Sequence, residues 1–160
     1  MSTHVIEQLS RLSEAEFLGI YESLQQQGFG PLDHEVAKSL NFRPQAIRNL
    51  PMAQRAKRAR QILASKKSAE LCYELFGSYL IKDRRELVTG FLDATGVPHE
   101  QGMVEDLESI CPAADKLAGA IQDLDGKFAA SDVTLYLAMC ADQWPQVPEI
   151  EAHWRKRVGA

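Results

Sequence analysis

The side chains best suited to proton transfer stand together at His99 and Glu100, within Val97-Pro98-His99-Glu100-Gln101-Gly102. A proline and a glycine bracket them, so they belong to a loop, where an imidazole beside a carboxylate can serve as base and acid near neutral pH. No nucleophile stands in a readable arrangement with them, and the chain has no Gly-x-Ser-x-Gly, no phosphate-binding glycine loop and no cofactor fingerprint. Loop His-Glu pairs also occur as plain exposed or capping residues, so no catalytic residue is assigned and an enzyme with a His-Glu loop site is the third reading. No cofactor is expected.

Metal chemistry has little to work with. The histidines are His4, His34, His99 and His153, none in an H-E-x-x-H or E-x-x-H arrangement. Glu149 and His153 share a helix face at i, i+4, a spacing that gives a surface pair more readily than a ligand set. Asp123, Asp125, Gly126, Phe128 and Asp132 can be laid over positions 3, 5, 6, 8 and 12 of a calcium loop, but position 1, which needs a carboxylate, is then Ile121. A turn with Ser131 capping the next helix explains the same residues. No metal site is expected. Cys72, Cys111 and Cys140 are odd in number and widely spaced, which implies no disulfide framework and suits a reducing, cytoplasmic setting.

Charge is the stronger signal. Residues 36–69 contain Lys38, Arg43, Arg48, Arg55, Lys57, Arg58, Arg60, Lys66 and Lys67 and no Asp or Glu, in a chain whose net charge is −4. Clustered Lys and Arg point to an anionic partner, because they neutralise phosphates and release counterions. The bland alternative is a solvated strip, or one paired with Glu105, Asp106 and Glu108 of the same chain or of a second copy. Taking Met52, Ala56, Ala59 and Leu63 as the buried stripe of a helix leaves Arg55, Lys57, Arg58 and Arg60 on its flanks and outer face.

Within the basic stretch, Val36, Ala37, Leu40, Asn41, Pro44, Ile47 and Leu50 have a regular arrangement. Ala37 is the small residue where two helices cross, Asn41 is a turn residue that tolerates positive φ, and the apolar residues hold the pair. Residues 32–50 thereby resemble the helix-turn-helix pattern of bacterial repressors. The resemblance implies that Arg43, Gln45, Arg48 and Asn49 face DNA, Arg suiting guanine edges or phosphate and Gln or Asn suiting adenine. It covers nineteen of 160 residues, and Pro51 limits the second helix to about two turns.

The elements that must position these groups are helical throughout. Ser13 and Glu16 form a capping box, followed by Phe17, Ile20, Tyr21 and Leu24 at helical spacing until Gly28 and Gly30, which predicts a helix over 14–27. Short helices follow near 36–40 and from Pro44, then one from Pro51 to about Ser65. The most apolar segment, Leu71 to Leu92, is expected to form the central helix pair. Gly96-Val97-Pro98 breaks the pattern, Glu100 to Glu108 reads as a short acidic helix, and helices near 113–123, 131–142 and 147–157 complete the series. Trp144 and Trp154 are expected to pack the last helix onto the core. Val133, Leu135 and Leu137 alternate briefly, but Met139 and Cys140 continue a helical face, so this too is buried helix.

With 160 residues, 45% hydrophobic and 25% charged, the chain can bury a sufficient core without staples. The expectation is one all-α domain over 1–160, an irregular array of about eight short to medium helices around one core. No apolar run reaches the roughly 20 residues that span a bilayer, so no membrane partner is expected and the location is read as cytoplasmic. Two functional readings lead. One is a non-enzymatic regulatory protein binding nucleic acid or another anionic partner through Arg43, Gln45, Arg48, Asn49, Arg55, Lys57, Arg58 and Arg60. The other is a helical protein-protein interaction module, or a homo-oligomer whose basic strip meets acidic surface.

Overall fold

The computed structural model describes residues 4–26, 49–66 and 69–159, and every regular element among them is helical. The helices are α1 (His4–Arg11), α2 (Glu14–Gln26), α3 (Met52–Lys66), α4 (Ala69–Asp83), α5 (Arg85–Ala94), α6 (Leu117–Asp125), α7 (Ala130–Gln143) and α8 (Pro148–Val158). A single 3-10 turn, Ala114–Lys116, leads into α6. The all-α class holds. The helices expected near 36–40 and from Pro44 lie outside the described residues, as do Arg43, Gln45 and Arg48.

Backbone contacts group the chain into two compact units. One is Ile6–Tyr79, the N-terminal unit below; the other is Met1–Val5 with Leu80–Ala160, the C-terminal unit.

In the N-terminal unit, the Ser13–Glu16 box opens α2 as its spacing requires. Ser13 Oγ accepts from the Glu16 amide at 3.0 Å, and Glu16 Oε1 accepts from the Ser13 amide at 2.8 Å, so each orphan donor has a partner. Phe17, Ile20, Tyr21 and Leu24 form the buried face of α2, with the rings of Phe17 and Tyr21 stacked 6.4 Å apart. That face packs on α3, where Ala56, Ala59 and Leu63 are buried. Alanine at the contact lets two backbones approach closely. Leu9, Leu12, Cys72, Leu75, Phe76 and Tyr79 are buried in the same unit.

In the C-terminal unit the helix buried on nearly every side is α7, where Val133 and all of Leu135 to Ala141 lie inside. A helix apolar all round occupies a core. The segment Leu71 to Leu92, expected to form the central helix pair, forms α4 and α5, and its contacts divide between the two units after Tyr79. Leu87, Val88, Phe91 and Leu92 of α5 are buried, with Phe91 edge-on to Tyr136 at 5.2 Å. α5 ends in a Schellman motif: Val97 N–H donates to the Leu92 carbonyl at 2.8 Å and Gly96 N–H to Asp93 at 3.3 Å, with Gly96 at φ +76°. Trp144 and Trp154 are both fully buried, and Trp144 Nε1 donates to the Ile110 carbonyl at 2.8 Å. α8 has Pro148 in its first turn, acids near its start and Arg155, Lys156 and Arg157 in its last turn, which complements its dipole.

Two further expectations are corrected. Residues 100–108 are not helical. Gln101 and Gly102 have φ of +52° and +92° between Glu100 and Met103, whose backbones exchange two hydrogen bonds at 2.9 and 3.0 Å. Two consecutive positive φ values make a type I′ turn and prevent a helix there. Farther on, the Asp106 carboxylate accepts from the amides of Glu108 and Ser109, a local turn that competes with helix. Ser131 is not a cap, because α7 begins one residue earlier with Ala129 at the cap position. α1 was not among the expected helices, although Val5, Leu9 and Leu12 recur there at helical spacing and are buried. Its first amides, those of His4 and Val5, are capped by Asp142, 138 and 137 positions away.

Candidate functional site

The basic face of α3 is the first candidate, and its arginines do different things. Arg55 is 8% exposed, on the buried side of the helix with Ala56 and Ala59. Its guanidinium donates to Gln25 Oε1 and lies over the Tyr21 ring, 5.9 Å from the centroid. Arg60 is half-buried and donates to the carbonyls of Leu9 and Leu12 at the end of α1, with its guanidinium 5.8 Å above the Phe17 ring. An arginine over the last carbonyls of a helix satisfies acceptors that have no intrahelical partner. The expectation that Arg55 and Arg60 face outward is therefore corrected. Both tie α3 to α1 and α2, within the N-terminal unit.

Lys57 and Arg58 are exposed and make no hydrogen bond or ion pair among the described residues. Asn49 is exposed in the turn before Pro51. Of the eight residues proposed from sequence, Lys57, Arg58 and Asn49 are thus at the described surface, Arg55 and Arg60 are engaged inside, and Arg43, Gln45 and Arg48 lie outside the described residues.

What sequence reasoning did not find is the groove beside Lys57. It has a volume of about 920 Å³ and runs between α2 and α3, with Leu12, Ala15, Phe17, Leu18, Ala56 and Ala64 along it and Lys57 and Glu14 among its polar residues. On α3 its lining extends from Ala53 to Ala64, roughly 17 Å at 1.5 Å per residue. The alanine spacing that opens the groove was visible in the sequence, but it read only as a helix stripe.

The loop histidine is held at both ring nitrogens. His99 Nε2 faces Asp93 Oδ1 at 2.7 Å, and Nδ1 accepts the Gly102 amide at 3.0 Å. An amide proton aimed at Nδ1 places the imidazole proton on Nε2, toward Asp93. Both nitrogens are committed, and the partner carboxylate is Asp93, not Glu100. Asp93 borders a cleft of about 460 Å³ between α5 and α6, with Glu86, Asp123 and Lys127 also at its wall. What His99 holds is the I′ turn. A Cβ on Gly102 would come within 3.1 Å of Ile81 and 3.3 Å of Val88.

Of the three carboxylates laid over a calcium loop, Asp125 and Asp132 are held by arginines. Asp125 receives both terminal nitrogens of Arg157 at 2.7 and 2.9 Å, and Asp132, 7% exposed, receives Arg84 Nε at 2.8 Å. Among the described residues no group of three or more His, Cys, Asp or Glu is placed to hold a metal ion. No helix among them is long and apolar enough to cross a membrane.

A further titratable cluster joins the N-terminus to α7 and α8. His4 Nδ1 is 2.5 Å from Asp142 Oδ1, Nε2 is 3.1 Å from Glu151 Oε1, and the ring meets Trp154 edge-on at 5.3 Å. Burial of the ring would favour the neutral form, but the hydrogen bonds to Asp142 and Glu151, and their charges, outweigh it and raise the imidazole above its ordinary range. The hydrogen bond from His4 in turn lowers Glu151.

Comparison with protein-family models, with curated proteins and with solved structures finds no match to this chain.

Proposed function

We propose that the protein is a non-enzymatic helical interaction module that docks an acidic, amphipathic helix in the α2–α3 groove. The observation that carries this reading is the pairing of an apolar groove with an uncompensated lysine at its edge. Ala15, Leu18, Ala53 and Ala64 offer accessible apolar contact over the buried Leu12, Phe17 and Ala56, while Lys57 and the neighbouring exposed Arg58 supply positive charge without an internal partner among the described residues. The groove follows three turns of α3, a length that matches an apolar stripe at i, i+3, i+4 and i+7 better than a compact metabolite. Acidic side chains on the partner complement Lys57 and Arg58, which favours encounter and register more than affinity. The histidine with a neighbouring carboxylate has no vacant ring nitrogen, which supports a non-catalytic role.

The nucleic-acid reading keeps one supporting observation, the same two exposed cations. Two phosphate contacts imply a log–log salt slope of only about −2, far shallower than a full basic face would give.

Titration of the isotopically labelled protein with a designed 15-residue Leu/Ala/Glu amphipathic peptide is the test. The expected result is saturable movement of the amide signals of Leu18, Ala53, Ala56 and Lys57, weakened by Leu18→Ser and by Lys57→Glu. Absence of those changes, together with binding of a duplex DNA at about 50 mM salt that disappears in Lys57→Glu/Arg58→Glu, would replace this reading with the nucleic-acid one.

A further inference from the structure

We propose that His4 is a proton-operated latch: its imidazolium bridges Asp142 of α7 and Glu151 of α8, and loss of one proton frees Glu151 while Asp142 keeps its hold.

The geometry requires two donors on the ring. Both nitrogens face carboxylate oxygens, at 2.5 and 3.1 Å, and an ionised carboxylate only accepts. The neutral ring has one N–H and can satisfy one of the two.

The two carboxylates are not equivalent. The Asp142 side chain is 1% exposed and also accepts the His4 and Val5 amides at 3.1 and 3.0 Å, so its charge is buried against the start of α1 and the imidazole together. Leaving that charge without the ring's donor would be costly. The Glu151 side chain is 45% exposed and has a second partner in Arg155 Nε at 3.4 Å, with water beyond. The proton that leaves is therefore the one on Nε2. Trp154, 0% exposed and at 90° to the ring, fixes the imidazole plane, so the two nitrogens cannot exchange roles by rotation.

Among the described residues, the charged groups acting on the ring are Asp142 from α7 and Glu151 from α8, with Arg155 paired to Glu151. Glu7 and Arg11, farther along α1, pair with each other. Because the folded histidine is raised above its unfolded value, the double bridge is complete below pH of about 6.5 and is lost as pH rises through the folded value. The charge on one histidine thus decides whether the first turn of α8 presents a bridged or an open carboxylate.

The experiment is an NMR titration of the full chain from about pH 5.5 to 9, following the His4 ring protons and the amides of Val5, Glu151 and Arg155. The expected His4 midpoint is above 6.5, with the Glu151 and Arg155 signals moving at that midpoint and the Val5 amide remaining protected on both sides of it. Glu151→Gln, a surface change that should leave the fold intact, is expected to lower the midpoint and abolish the movement at residue 155. A midpoint at or below 6.5, a midpoint unchanged by Glu151→Gln, or loss of Val5 protection on deprotonation would each overturn the latch.

Discussion

Arg60 and Arg58 are two residues apart on one helix, and their side chains have different jobs. Arg60 meets two carbonyls and an aromatic ring, whereas Arg58 is exposed without a partner among the described residues. Arg60→Met should destabilise the protein by about 1–3 kcal/mol, since two carbonyls lose a charged donor, while Arg58→Met should change stability by less than about 0.5 kcal/mol. Urea midpoints of the two variants check this, and equal midpoints would contradict the assignment. Such a distinction is not in the sequence. A stripe drawn at 100° per residue puts Arg55 at the margin of the buried face, and only the position of Gln25 and Tyr21 shows that the guanidinium turns inward. His99 teaches the same at another site, since its acid is Asp93, six positions back, rather than the adjacent Glu100.

At the level of elements, local chemistry was legible where an element's end is built from its own residues. The Ser13–Glu16 box lies where the spacing puts it, and α5 ends at the expected break at Gly96-Val97-Pro98, where the structure adds a Schellman motif. Ser13→Ala should lower stability by about 1 kcal/mol, visible as a fall in thermal midpoint, and Ser13→Asp should recover most of it. The segment 100–108 was misread because acidic residues with apolar ones between them fit a helix, and the turn at Gln101-Gly102 outweighs that pattern. Gly102→Ala is expected to cost about 1–2 kcal/mol, being strained at φ +92° and crowded by Ile81 and Val88. Hydrogen exchange should show the loss first at the amides of residues 102 and 103. α1 has helical spacing in Val5, Leu9 and Leu12, but its cap was illegible, because the residue that supplies it is Asp142, at the other end of the sequence.

For the whole molecule, the thiols give a test of where the interior lies. Cys72 in the N-terminal unit and Cys140 in the C-terminal unit are buried, and Cys111 is exposed. Burial pushes the Cys72 thiol up to about 11 and raises Cys140 further, so neither supplies thiolate at neutral pH. The native protein should react with one equivalent of an aromatic disulfide reagent quickly and with two more only on unfolding. Each slow thiol then reports on its own unit as denaturant rises; three fast thiols would contradict the packing described here. By itself the sequence determined the all-helical class, most helix boundaries and the run of nine Lys and Arg without an acid over residues 36–69, because propensity, caps and periodicity act within a few residues of one another. Tertiary structure alone decided that α7 is the core helix of its unit, that Arg55 and Arg60 brace α3 while Lys57 and Arg58 stay outside, and that His4 sits between two carboxylates. Those outcomes depend on burial and on partners up to 138 positions away, which no local pattern encodes.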